Sequence, residues 1–170
     1  MLVVKLYTTL FDYVQISMNT LSSGTIVKIG TGFRHKNRII TNEHTLRGVT
    51  KANIDHRGSI YKSRILRVYP IFDLAILECP QPLAQRESCH CEQTHTKFIH
   101  SYRKSMKLKK KYGLYKTRAK LGKGYSGSPI LIDGKIIGMV YGHLGKYIQW
   151  TPMRDIDNEL DLLEVYLSSH

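Results

Sequence analysis

Short apolar runs separated by glycine, asparagine, aspartate and proline make up most of this chain. Residues 25–29 alternate polar and apolar side chains, while 38–41, 63–68 and 74–77 are β-branched or aliphatic runs of strand length. Residues 129–132 and 135–140 flank the dipeptide Asp133-Gly134, whose tolerance of positive φ predicts a tight hairpin. The period changes near the C-terminus. Over 153–167, Ile156, Leu160, Leu163 and then Tyr166 or Leu167 recur at helical spacing, with Asp155 and Asp157 near the start, where acids suit the helix dipole. The pattern predicts a mostly β protein closed by one amphipathic helix. Residues 79–100 hold two prolines, scattered glutamines and little periodicity, and 81–96 is expected to link two halves, 1–80 and 97–170. The longest apolar runs, such as 136–140, are strand-sized, so no membrane-spanning helix is expected.

A length of 170 residues suits one compact unit or two small lobes. Hydrophobic residues at 42% against 23% charged are the balance of a folded protein rather than a disordered one. Charge changes the picture more. Lys and Arg number 26 against 13 acids, a formal charge of +13, and the excess is local: no acid occurs between Glu92 and Asp133. The segment 97–123 also carries Phe98, Tyr102, Tyr112 and Tyr115 among its cations, a mixture compatible with single-stranded nucleic acid or with a solvated basic surface. The 3 cysteines cannot all pair within one chain, and the N-terminus lacks the pattern of a secretion signal. A reducing compartment, the cytoplasm, is the expected location.

Three strings carry candidate chemistry. Gly124-Tyr125-Ser126-Gly127-Ser128-Pro129 sets a serine between glycines before a strand; such a turn can present a hydroxyl while nearby N–H groups converge on an oxyanion. Taken alone it is also an ordinary flexible turn. Upstream, Gly30-Thr31-Gly32-Phe33 leads through a strand to His44, just past the strand's end. Asp73 stands at the head of the apolar run 74–77, a costly place for a carboxylate unless a partner compensates it.

Together these strings resemble the chymotrypsin/trypsin clan of serine proteases, in the chain order His, Asp, Ser. The resemblance spreads over 24–152, nearly the whole chain. It implies an all-β, two-barrel chymotrypsin-like fold with a C-terminal α-helix, a first barrel carrying His44 and Asp73, and a second carrying Ser126. It further implies His44 as general base, Asp73 as the acid orienting it, Ser126 as nucleophile, and the N–H groups of Gly124 and Ser126 as the oxyanion hole. The implied activity is a serine endopeptidase working through an acyl-enzyme and needing no cofactor for catalysis. The alternative is a protease-fold binding module acting through its basic surface, with nucleic acid as a possible partner.

Departures from the clan's pattern sharpen the expectation. Only 29 positions separate His44 from Asp73 and 53 separate Asp73 from Ser126, a compactness that is similar to small viral proteases and glutamyl endopeptidases, so a viral protease is the preferred reading. Tyr125 stands where zymogen-activated members keep an aspartate, which implies an oxyanion loop formed without release of a new N-terminus. Cys89-His90-Cys91 resembles half of the structural zinc site of some viral members, and Cys79, Cys89, Cys91 and His95 are four candidate ligands of suitable type. The specificity pocket is expected between 120–124 and 138–145, with Lys120, Lys123, Tyr141 and His143 as donors to substrate. Neither wall contains an acid, so cleavage after Glu or Gln is expected over cleavage after Lys or Arg.

Overall fold

The computed structural model describes residues 1–13, 24–85, 97–118 and 121–170. Among the described residues, twelve strands form two closed antiparallel barrels of six. The first contains β1 (Val3–Thr9), β2 (Ile26–His35), β3 (Arg38–Thr41), β4 (Lys51–His56), β5 (Ser59–Tyr69) and β6 (Leu74–Glu78), closed in the order β1-β2-β3-β6-β5-β4. The second contains β7 (Phe98–His100), β8 (Ser105–Lys111), β9 (Leu114–Thr117), β10 (Pro129–Ile132), β11 (Lys135–Leu144) and β12 (Tyr147–Pro152), closed as β10-β11-β12-β9-β8-β7. Two short helices, α1 (Glu43–Leu46) and α2 (Gln81–Ala84), and the C-terminal α3 (Met153–Ser169) complete it.

Alternation explains the barrel interiors. On β1, Val4 and Leu6 point inward beside Ile54 of β4 and Leu77 of β6, all at most 1% exposed. The continuous apolar runs of β3 and β6 have a different cause. Ile39, Ala75 and Leu77 fill the first barrel, while Ile40, Leu74 and Ile76 face outward beneath α3 and Met139 of the second. Both faces of these strands are covered, so neither face has reason to be polar. Each leucine or isoleucine so buried contributes about 1.5–3 kcal/mol.

The Asp133-Gly134 turn forms as its dipeptide requires: Ile132 pairs with Lys135, and both turn residues have positive φ, 50° and 76°. Helix α3 buries Met153, Ile156, Leu160 and Leu163. Its expected stripe stops there: Tyr166 and Leu167 remain exposed, Tyr166 under the Arg67 guanidinium at 4.9 Å. Polar contacts tie α3 to the first barrel: Arg38 donates to both Glu164 oxygens at 2.6 and 3.1 Å, His35 Nε2 lies 2.7 Å from Asp157, and Lys36 Nζ lies 3.3 Å from Asp157 and 3.6 Å from Asp161. Within the stretch expected to be an irregular link, α2 seats Leu83 in the first barrel's core, and Arg34 donates to the Leu83 carbonyl at 2.6 Å.

Candidate active site

His44 lies in α1, a single turn that follows β3 directly. The first N–H groups of a helix have no intrahelical acceptor, and here Asp73 supplies acceptors from another part of the barrel. Its carbonyl accepts from Glu43 N–H and from Asn42 Nδ2, both at 3.1 Å, and its Oδ1 accepts from His44 N–H at 2.9 Å. The remaining oxygen, Oδ2, lies 2.5 Å from His44 Nδ1. Asp73 takes this pose because it ends the 3₁₀ turn Pro70–Phe72 in the left-handed region, φ 49° and ψ 44°, which aspartate tolerates better than most residues. Three further hydrogen bonds brace the histidine's surroundings. Arg47 grips Glu43 through both carboxylate oxygens, holding that carboxyl below its ordinary range, and Lys28 Nζ donates to the His44 carbonyl at 3.3 Å.

Ser126 sits on the turn entering β10, with Gly124 at φ 95° and Gly127 at φ 89°. Tyr125 between them is 5% exposed and belongs to the second barrel's core. The Tyr125 carbonyl accepts from Ser128 N–H at 3.0 Å. In a trans peptide the next N–H points the opposite way, so Ser126 N–H is turned away from that bond. Among the described residues, neither Ser126 N–H nor Gly124 N–H donates to a protein acceptor.

His44 and Ser126 line one cleft of about 750 Å³ between the barrels, together with Gly124, Lys28, Lys123 and His143. No carboxylate is among its described lining residues. Lys120 lies outside the described residues. Tyr141 corrects an expectation: it does not share the cleft but lines a neighbouring one of about 360 Å³ with Phe72, Asp73 and Trp150. A bulge is the reason, since Val140 pairs with Trp150 and Gly142 with Gln149, leaving Tyr141 as the extra residue.

Of the four candidate zinc ligands, Cys89, Cys91 and His95 lie outside the described residues. The Cys79 thiol is half-buried, 3.7 Å from the Pro80 carbonyl, and burial pushes its pKa up. The sequence reading missed Thr31, which is fully buried and bonded to the Ser126 turn. Its signal was present as Gly30-Thr31-Gly32, two glycines where a neighbouring chain comes close.

Solved structures with this arrangement of barrels are numerous. The chain matches the active form of the Rv3671c protease from M. tuberculosis with a TM-score of 0.67 at 18% identity, over 94% of this chain and 79% of that one. The chain has the chymotrypsin-like fold. Other structures with this fold are the human astrovirus serine protease, TM-score 0.57 at 17% identity over 88% of both chains, and a serine endoprotease from Yersinia pestis, 0.65 at 16% over 95% and 62%. No protein-family model and no curated protein matches the sequence. Within the chymotrypsin-like fold, His44, Asp73 and Ser126 all lie where the two barrels meet.

Proposed function

We propose that the protein is a serine endopeptidase with His44, Asp73 and Ser126 as its catalytic residues. The observation that carries this reading is the 2.5 Å contact between His44 Nδ1 and Asp73 Oδ2 beside a cleft that His44 shares with Ser126. A proton held on Nδ1 leaves Nε2 as the base that takes the Ser126 proton when Oγ attacks the scissile carbonyl, and that returns it to the leaving amine. The N–H groups of Gly124 and Ser126 receive the developing oxyanion. Water then repeats the attack on the acyl-enzyme and releases the acid.

The cationic lining supports an acidic or amide side chain before the cut. Lys123 and His143 both reach the cleft and offer donors, and no described lining residue would compensate a substrate Lys or Arg. Compactness is shared by viral and bacterial neighbours, the astrovirus protease and the inactive form of Rv3671c each being matched over 88% of its length, so the narrower reading of a viral enzyme rests on the Cys89-His90-Cys91 string. A fluorophosphonate probe tests the main reading: covalent labelling of wild-type protein and none of Ser126→Ala is expected, and an unreactive wild type overturns it.

One observation favours a second activity beside the first. Lys107, Lys109, Lys116 and Arg118 line a single cleft of about 130 Å³ on β8 and β9, with Lys109 directly opposite Lys116. Opposed like charges repel, and a phosphate backbone would relieve them while releasing its counterions. Binding of single-stranded nucleic acid that weakens steeply with salt and is lost in Lys109→Glu/Lys116→Glu is expected; salt-independent or absent binding excludes it.

A further inference from the structure

We propose that Thr31 is the positioning residue of the nucleophile turn, reaching across from the first barrel to fix the peptide groups on which the oxyanion site depends. The inference rests on the peptidase reading for its catalytic consequence but not for its geometry. Thr31 is fully buried on β2. Its hydroxyl donates to the Gly124 carbonyl at 2.5 Å, and its main-chain N–H donates to the Ser126 carbonyl at 2.7 Å. Its own carbonyl accepts from the Thr41 hydroxyl at 2.7 Å and lies so close to Gly127 that a Cβ there would stand 1.8 Å away. One residue thus touches Gly124, Ser126 and Gly127.

Thr31 is free to do this because of the strand ladder. It pairs with Lys5 on β1, but β3 ends at Thr41, so the side of β2 that faced β3 from Phe33 to His35 is vacant at Thr31. In an antiparallel strand the N–H and C=O of one residue point to the same side, and both main-chain groups of Thr31 meet partners other than β1. The second barrel's turn fills the place a strand would have taken. Gly30 gives it room, since a Cβ there would lie 3.3 Å from the Ser126 carbonyl.

Of the two proposed oxyanion donors, the Ser126 N–H lies on the peptide between the two held carbonyls and the Gly124 N–H on the peptide just before the first. Peptide planes are rigid, so the turn's only freedom is rotation about the Cα atoms of Gly124, Tyr125 and Ser126. Gly124, at φ 95°, is the most permissive of these, and its carbonyl is the one the Thr31 side chain holds. Tyr125 brings no carboxylate that a cation elsewhere in the chain could anchor; Gly124 is held instead by the Thr31 hydroxyl, with the Tyr102 ring packed where a Cβ would stand. Branching at Cβ limits Thr31 to few rotamers, and Thr41 fixes its main chain.

Thr31→Val keeps the shape and removes the hydroxyl; Thr31→Ser keeps the hydroxyl and loses a methyl. Turnover of a peptide ester, thermal stability, and amide exchange across 121–128 by mass spectrometry are compared in both variants and the wild type. Thr31→Val is expected to lower kcat roughly 10- to 100-fold with KM within about 3-fold, and to speed exchange in 121–128 but not in β4 or β5. Thr31→Ser is expected to recover kcat to within about 3-fold of wild type. Unchanged kcat and exchange in Thr31→Val overturn the proposal, as does an equal loss in both variants or exchange that quickens throughout the first barrel. If Thr31→Val does not fold, Thr31→Ala takes its place against Thr31→Ser. If the wild type hydrolyses nothing, the peptidase reading fails, and the exchange difference alone still decides whether Thr31 holds the turn.

Discussion

Asp73 holds His44 at two points: Oδ1 accepts the main-chain N–H at 2.9 Å while Oδ2 lies 2.5 Å from Nδ1. The pair of contacts makes Asp73→Asn an informative substitution. An asparagine whose oxygen keeps the His44 N–H must turn its NH₂ toward Nδ1, which then has to accept, and the ring proton moves to Nε2. The imidazole would be in place but unable to take a proton from Ser126. A loss of about 10⁴ in kcat is expected with the fold intact. Steady-state kinetics with a circular dichroism melt checks it, and a loss under about tenfold would remove Asp73 from the proposed mechanism.

Ser126→Ala should lower hydrolysis by several orders of magnitude, since the nucleophile has no substitute in the cleft. The hydroxyl forms none of the contacts that hold the turn; those run through the Ser126 carbonyl and its neighbours. The melting temperature is therefore expected to stay within a few degrees of wild type. Turnover within tenfold of wild type would count against the assignment.

Gly127→Ala should be among the most damaging single changes in the protein. Its Cβ would fall 1.8 Å from the Thr31 carbonyl, at a φ of 89° that side chains resist. Strain and overlap together should cost about 2 kcal/mol or more, read as a lowered midpoint in urea. Gly134→Ala has the same φ problem at 76° but nothing within 4 Å, so it should cost less.

The anchors of α3 give the fold a dependence on pH. A hydrogen bond from Arg38 holds the Glu164 carboxyl below its ordinary range; burial pushes Asp157 upward, but His35 and Lys36 together outweigh it and the net shift is also downward. Carboxyls depressed in the folded state bind fewer protons there than in the unfolded chain, so they add stability above the ordinary carboxylate value, about 4. That contribution is lost as pH falls from there through the depressed folded values. Urea midpoints measured from pH 6 to pH 2 should drop over this window, and Asp157→Asn/Glu164→Gln should flatten the drop. An unaltered profile in the double variant would show that other carboxyls set it.

Ser128 follows the nucleophile turn, fully buried, and among the described residues its hydroxyl has no hydrogen-bond partner. Deleting a buried unsatisfied hydroxyl removes a desolvation cost and loses no bond. Ser128→Ala is expected to leave the melting temperature unchanged or to raise it, with kcat close to wild type. A clear destabilisation would reveal a bonded role for this hydroxyl.

Patterns within a few residues of one another were enough, in the sequence, to mark the hairpin at Asp133-Gly134, the strands ending at Thr41 and beginning at Leu74, and the buried stripe Ile156, Leu160, Leu163. They are local because turn chemistry and side-chain period are local. The strings around His44, Asp73 and Ser126 were legible for the same reason, each being a short run with an odd polar residue in it. Tertiary structure alone decided what those strings touch. Thr31 and Gly124 are bonded although 93 positions apart, and no periodicity joins residues that meet across two barrels. Tyr141 and His143, two residues apart, line different clefts because a one-residue bulge at Tyr141 breaks the alternation of β11, a register effect invisible in an apolar run. Tyr166 lies outside the buried stripe, under the Arg67 guanidinium rather than in an apolar core, a partner that helical period alone does not name. The sequence chose the elements; the close approach of two separately closed barrels chose which of their side chains share a cleft.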